Sequence, residues 1–401
     1  MSDQQGCIEN NYSRRIIFRG TGKGYFLILF VNLLLMMVTL GIFTPWAFVR
    51  SKRYLYSNTE LSGSRFSYTA TGRSILVSWL CLFVYIFATE AALLRGSSSL
   101  ALCLISLLLL FLPYLIIQSI RYQMQSTTLN GVRFNFQFNG LKAWWVMIGC
   151  PLLMLAALVF ICGIISSISF SAMSFDMSKV MMTMAVSFII GVMGVGVVQG
   201  VTVGLWLNLF FNGLSFGTQN FAAQVSVKKC ILICFASMLI LIPFLILAMA
   251  LFLPDCINII SVAMMGDIEK VMTSEAMKNL QNTIILCYVI YLVGALICFS
   301  YLVVTLRNYY VNTVVLGEKI AFRSTLTLSG FIGQLIVNIL ITVCTFGIGY
   351  PWARIRYCHY LANNTWVDGD LDSLNLEDHE DKIATDIVSR LSRGLVPNIS
   401  L

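Results

Sequence analysis

Apolar residues run through this chain in long stretches, each bounded by basic or turn-forming residues. A bilayer core about 30 Å thick takes roughly 20 residues of helix, so stretches of that length predict membrane spans. Eight qualify: Tyr25 to Phe48, Ser74 to Leu94, Ser98 to Ile120, Ala143 to Ile168, Val180 to Phe211, Cys230 to Leu253, Thr283 to Leu306 and Phe331 to Ile355. The pattern predicts an all-α polytopic membrane protein with about eight transmembrane helices. Residues 1–24 then form a cytoplasmic N-terminal segment, 25–355 an integral membrane domain and 356–401 a cytoplasmic acidic tail. The polar opening from Met1 to Tyr12 predicts that the first span is retained rather than cleaved.

Between the spans the pattern changes period. Thr-x-Leu-Asn-Gly-x-Arg-Phe-x-Phe alternates apolar and polar positions around an Asn-Gly turn, which is a β-hairpin signature. Short hairpins capping helix pairs are expected, with turns at Gly63, Gly131, Gly213 and Gly317. They belong to an internal repeat. Arg53, Thr59, Leu61, Gly63, Arg65 and Phe66 correspond to Arg121, Thr127, Leu129, Gly131, Arg133 and Phe134, and again to Arg307, Thr313, Val315, Gly317, Lys319 and Ile320. Asn212 to Phe216 reads as a degenerate fourth copy. A longer repeat joins the first and last spans at constant offset: Asn32, Thr39, Gly41, Pro45, Trp46, Arg50, Tyr54 and Thr59 recur as Asn338, Thr345, Gly347, Pro351, Trp352, Arg356, Tyr360 and Thr365.

Composition supports the class, with 58% hydrophobic and only 11% charged residues. Arg95, Lys179, Lys270 and Lys278 fall on one side of the spans and the other Lys and Arg on the opposite side. The positive-inside rule makes that basic side, with both termini and the hairpins, cytoplasmic. The net charge of +8 is dispersed at span ends, which points to anionic headgroups rather than nucleic acid. The 12 cysteines lack paired metal spacing, and the nine in apolar spans, Cys81, Cys103, Cys150, Cys162, Cys230, Cys234, Cys287, Cys298 and Cys344, read as small buried hydrophobes, so neither metal nor cofactor is expected.

With these motifs in hand, the chain resembles the YjgN-like family of bacterial inner-membrane proteins. The segments that carry the likeness are Phe18 to Gly22, Thr39 to Ala47, Lys52 to Tyr56, Leu129 to Phe134 and Phe322 to Thr327. The resemblance covers nearly the whole length and implies an inner-membrane location. It implies no reaction, and no catalytic residue carries over.

Several residues invite a functional reading. Pro45 and Pro351 can kink their helices, while Trp46, Trp352, Arg50, Arg53, Arg121, Arg307 and Arg356 read as interfacial anchors. Glu90, inside a span, is a functional candidate by default, yet Arg95 one turn away favours an interfacial ion pair. Gly196, Gly200 and Gly204 recur on one face as in small-residue helix packing, or break the helix around a substrate. Asn32 and Asn338 place matched polar groups inside spans, suited to hydrogen bonds between helices or to a polar path. Gly213 to Gly217 fits G-x-S-x-G without its strand-to-helix context, and Gly20 to Gly24 falls short of a phosphate-binding loop. The acidic tail ends in a helical pattern, Ile383, Ile387 and Leu391, suited to docking on the basic hairpins. No enzyme is expected. Repeats, spans and the glycine-rich helix point to a small-molecule or ion transporter or channel, with a non-transporting organiser that binds lipid or protein as the alternative.

Overall fold

In the hydrocarbon core only a helix or a closed sheet pairs every backbone N–H and C=O, and the apolar stretches fold accordingly. The computed structural model describes residues 13–171, 177–264, 275–317, 319–370 and 387–393. Strands β1 (Ser13–Arg15) and β2 (Ile17–Phe18) lead into helices α1 (Gly22–Val38) and α2 (Thr44–Ser57). Strands β3 (Thr59–Leu61) and β4 (Ser64–Tyr68) precede α3 (Gly72–Leu94) and α4 (Ser98–Gln125). Next come β5 (Thr127–Leu129), β6 (Val132–Phe136), α5 (Gly140–Trp144), a π-helical turn (Trp145–Gly149), α6 (Cys150–Ser171) and α7 (Met177–Gly213). After β7 (Leu214–Phe216) and β8 (Gln219–Ala223) follow α8 (Val227–Met264) and α9 (Glu275–Val311). The chain closes with β9 (Val314–Leu316), β10 (Ile320–Ser324), α10 (Leu328–Cys344), α11 (Tyr350–Asn363), β11 (Thr365–Asp368) and α12 (Ile387–Ser392).

Among the described residues, six helical segments are long and apolar enough to cross a membrane, where the sequence pattern predicts eight. The first and last predicted spans each fold back on themselves. Helix α1 ends at a turn in which Leu40 (φ 50°) and Gly41 (φ 88°) are left-handed, and α10 ends the same way at Phe346 (φ 50°) and Gly347 (φ 87°). The returning helices α2 and α11 carry Arg50, Lys52 and Arg53, and Arg354 and Arg356. Asn32 Nδ2 donates to Ala47 O at 3.2 Å and to Ser51 Oγ at 3.3 Å, fixing α1 and α2 side by side. A 17-residue helix is about 25 Å long, short of the full hydrocarbon thickness. Averaged hydropathy does not register a turn of five largely apolar residues, 39–43 or 345–349, so each hairpin looks like one span. Pro45 and Pro351 stand in the first turn of α2 and α11, where a missing N–H costs nothing, and they start these helices rather than kink them.

The strands form an eleven-stranded antiparallel sheet ordered β1-β11-β10-β9-β8-β7-β6-β5-β4-β3-β2. Its two ends, β1 and β2, are consecutive in the chain and separated only by Ile16, so the sheet closes into a ring. Ile16 N donates to Thr365 O at 3.1 Å on one side of the closure, and Arg19 N to Asn58 O at 2.8 Å on the other. Closure removes the exposed edges that would otherwise recruit other strands. Each outgoing helix is matched by a returning one, so every strand lies at the same end of the helices.

Paired asparagines tie helix ends to departing strands. Asn208 bridges Gly204 O and Val225 O while accepting from Val225 N, and Asn308 donates to Leu326 O while accepting from Leu326 N and Ser324 Oγ. Asn212 and Asn312 accept from Ala223 N and Ser324 N. Asn208 therefore joins helix to loop rather than helix to helix.

Two register expectations change. The third hairpin turns at Gly217 (φ 53°), whereas Gly213 is the last residue of α7, packed against Gln137 O. In the fourth hairpin Leu316, not Val315, is the buried counterpart of Leu129, because a one-residue shift exchanges the two faces of a strand. Helix α7 is continuous, and Gly194, Gly196, Gly200 and Gly204 pack against neighbours rather than break it. Cys230, Cys234 and Cys298 are buried as expected, but Cys81, Cys103 and Cys344 are exposed on the apolar outer surface. The acidic run up to Asp386 lies mostly outside the described residues. Helix α12 rests on α3 and α4 rather than on the hairpins, with the Arg390 carbonyl accepting from Ser78 Oγ and Arg393 lying 4.7 Å over the Tyr122 ring.

Candidate functional site

Alternation along each strand sends one set of side chains into the ring. Phe66, Phe134, Phe216, Phe221 and Phe322, with Leu61, Leu129, Leu316 and Val367, face inward there. Phe134 and Phe216 oppose each other directly in register and stack at 4.4 Å, while Phe66 with Phe134 and Phe221 with Phe322 stack at 6.3 and 5.9 Å. The ends of α4, α7 and α9 close the space with Ile120, Trp206, Phe210 and Tyr310. The result is an apolar chamber of about 340 Å³ whose polar lining comes chiefly from Arg307 and Thr365. That volume lies within the range of small-molecule sites.

A second cavity, of about 170 Å³, adjoins the chamber and shares Ile16, Phe66, Arg307 and Thr365 with it. Its character differs, because Lys52, Arg307 and Arg354 converge there with Thr59, Tyr56 and Tyr357. Lys52 is only 3% exposed, and its ammonium donates to Gln123 Oε1. Arg307 donates to Ser324 Oγ at 3.1 Å and to Thr365 Oγ1 at 3.0 Å. Arg354 lies 5.9 Å from the Tyr357 ring centre. Burial, reinforced by Arg354, pushes the Lys52 ammonium down to about 7. Burial raises the Tyr56 and Tyr357 phenols above their usual range.

Of the candidate interfacial anchors named from the sequence, Arg307 alone lines both cavities. Arg53 donates to Tyr68 O and Ala70 O and holds the end of β4, while Arg121 Nε is buried without a hydrogen-bond partner. Arg50 is exposed, and the exposed Arg356 donates to Gln334 Oε1 at 3.1 Å. Trp46 packs over Gly72 and Trp352 over Gly22, so each tryptophan seats on the first residue of a neighbouring helix. Gly63, Gly131 and Gly317 sit in turns with positive φ. Gly196, Gly200 and Gly204 admit α8 so closely that a Cβ at Gly200 would meet Ile231 Cα at 2.5 Å. Asn32 clips the first hairpin, Asn338 Oδ1 is buried without a partner, and Glu90 is exposed on α3 away from both cavities.

Ser215 occupies mid-strand β7 opposite Asn220, not the strand-to-helix turn that nucleophile chemistry requires. Thr21, in the glycine-rich opening, caps α1 by accepting from Gly24 N. No group of metal-ligating side chains occurs among the described residues. Sequence reasoning missed Lys52 and Arg354 because each looks like an ordinary interfacial cation. The alternating phenylalanines of the hairpins were the one visible signal of the chamber.

Six apolar helices and a strand ring define a polytopic α-helical membrane protein. The chain belongs to the family described as a bacterial protein of unknown function (DUF898), which matches residues 13–387. It is 35% identical over 390 residues to the inner membrane protein YjgN of Salmonella typhimurium, covering 97% of each chain. With the inner membrane protein YjgN of Escherichia coli strain K12 it shares 34% identity over 394 residues, 96% of each. The resemblance drawn from the motifs therefore stands. No solved structure matches the chain.

Proposed function

We propose that this protein binds lipid, holding an apolar chain in the ring chamber at the cytoplasmic face of the inner membrane, as an organiser rather than an enzyme. The chamber carries this reading: a wall dominated by phenylalanine and leucine suits a hydrocarbon, and its few polar groups, Arg307 and Thr365, stand together at one border rather than surrounding an ion. The uneven distribution of Lys and Arg supports the orientation, with both termini cytoplasmic. Matching turns at Leu40-Gly41 and Phe346-Gly347 support the repeated helix-hairpin plan. A carrier or channel remains the competing reading, favoured by the number of spans.

Native mass spectrometry of protein released from nanodiscs tests the proposal. The native chain retains lipid, whereas Val314→Trp, which fills the chamber from β9, retains much less. Equal retention by both would remove the chamber from the reading. Saturable ion or metabolite flux in liposomes that Val314→Trp leaves intact would favour a carrier.

A further inference from the structure

Among the described residues, the cations of the cleft beside the chamber hydrogen-bond or stack with neutral partners. Lys52 reaches an amide oxygen and Arg307 two hydroxyls, while Arg354 faces a tyrosine ring. Among the described residues no carboxylate lines this cleft. Burying positive charge without an opposite charge is costly, and a cluster of such groups is a strong attractor for an anion. The donors come from three elements, α2, α9 and α11, and so surround a ligand rather than lie along one helix face. Tyr357 adds a hydroxyl suited to a phosphate oxygen, whereas Thr59 donates to Leu55 O and Tyr56 is hydrogen-bonded to Thr127. Arg307 stands where the cationic and apolar cavities meet, as the boundary between the head and tail of an amphiphile requires.

We propose that the two cavities form one site for an anionic phospholipid, with its phosphate held by Lys52, Arg307 and Arg354 and one acyl chain lying among the ring phenylalanines. This rests on the lipid-binding reading above and adds the headgroup charge. A zwitterionic lipid presents the same phosphate but brings a cationic group toward three cations, so it is disfavoured. A free phosphate has no use for the chamber.

The protein is placed in nanodiscs of equimolar phosphatidylglycerol and phosphatidylcholine, and the lipids retained after release are counted by native mass spectrometry. The native chain is expected to retain phosphatidylglycerol over phosphatidylcholine by about tenfold, the order of the one like-charge contact that the choline group adds. Arg354→Gln should lower that ratio toward one while lipid is still retained, and Arg354→Lys should preserve most of it. Equal retention of the two lipids by the native chain overturns the anionic headgroup site and leaves lipid binding standing. Retention of neither overturns both. Inorganic phosphate at millimolar concentration abolishing the preference without displacing lipid would assign the cleft to free phosphate and overturn the shared site. Because the native comparison decides the headgroup question, a variant that fails to fold does not weaken the test.

Discussion

Lys52 illustrates how placement, rather than residue type, makes a side chain informative. It lies on α2 against Phe48 and Tyr68, donates to Gln123 on α4 and faces Arg354 on α11. Its folded value near 7 lies below the ordinary lysine value of about 10.4, so the free site is largely neutral above pH 7. A bound anion favours the charged form, and binding then takes up a proton. Anionic-lipid affinity should therefore rise as pH falls from 9 toward 7, by at most about tenfold per pH unit, and level off below 7. Lys52→Gln should flatten that profile, which titration with phosphatidylglycerol at several pH values would reveal. Gly200 teaches the opposite lesson: its role is the absence of a side chain. Gly200→Leu drives atoms into the α8 backbone and should destabilise the protein by about 1–3 kcal/mol or more, read as a lower melting temperature in detergent. Glu90→Gln, on an exposed face, should change neither melting nor lipid retention.

At the scale of elements, the helical hairpins α1–α2 and α10–α11 separate hydropathy from topology. Each is apolar on the way in and basic on the way out, and each depends on a left-handed pair at its tip. Gly41→Val places a β-branched residue at positive φ and should cost about 1–3 kcal/mol, visible as reduced thermal stability. Accessibility labelling tests the turn directly. An introduced Ser97→Cys, between α3 and α4, should react with an impermeant maleimide from the periplasmic side. Ile42→Cys at the hairpin tip should stay unreactive from that side if the hairpin stops within the bilayer. Reaction at both would show that α1 crosses completely.

At the scale of the whole molecule, strands scattered from Ser13 to Asp368 meet in one ring, and the ring creates the chamber. On the outer surface, Arg15 and Arg323 both lie 5.8 Å from the Trp366 ring centre, while Ser13 from β1 and Arg323 from β10 both engage Asp368 on β11 between them. Trp366→Ala should loosen this closure, and faster hydrogen exchange is expected at Ile16 and Thr365 than in α8. The membrane class, the helical spans from α3 to α9 and the alternating strands are all legible along the chain, because hydrophobic burial and turn chemistry act over neighbouring residues. The family, too, was legible in motifs such as Leu129 to Phe134. That two apparent spans turn back, that Gly217 rather than Gly213 makes a turn, and that Leu316 rather than Val315 faces inward emerges only once the chain is folded. Folding alone brings Lys52, Arg307 and Arg354 together from three distant helices. Charge convergence and ring closure depend on contacts between residues hundreds of positions apart, and local periodicity carries no record of them.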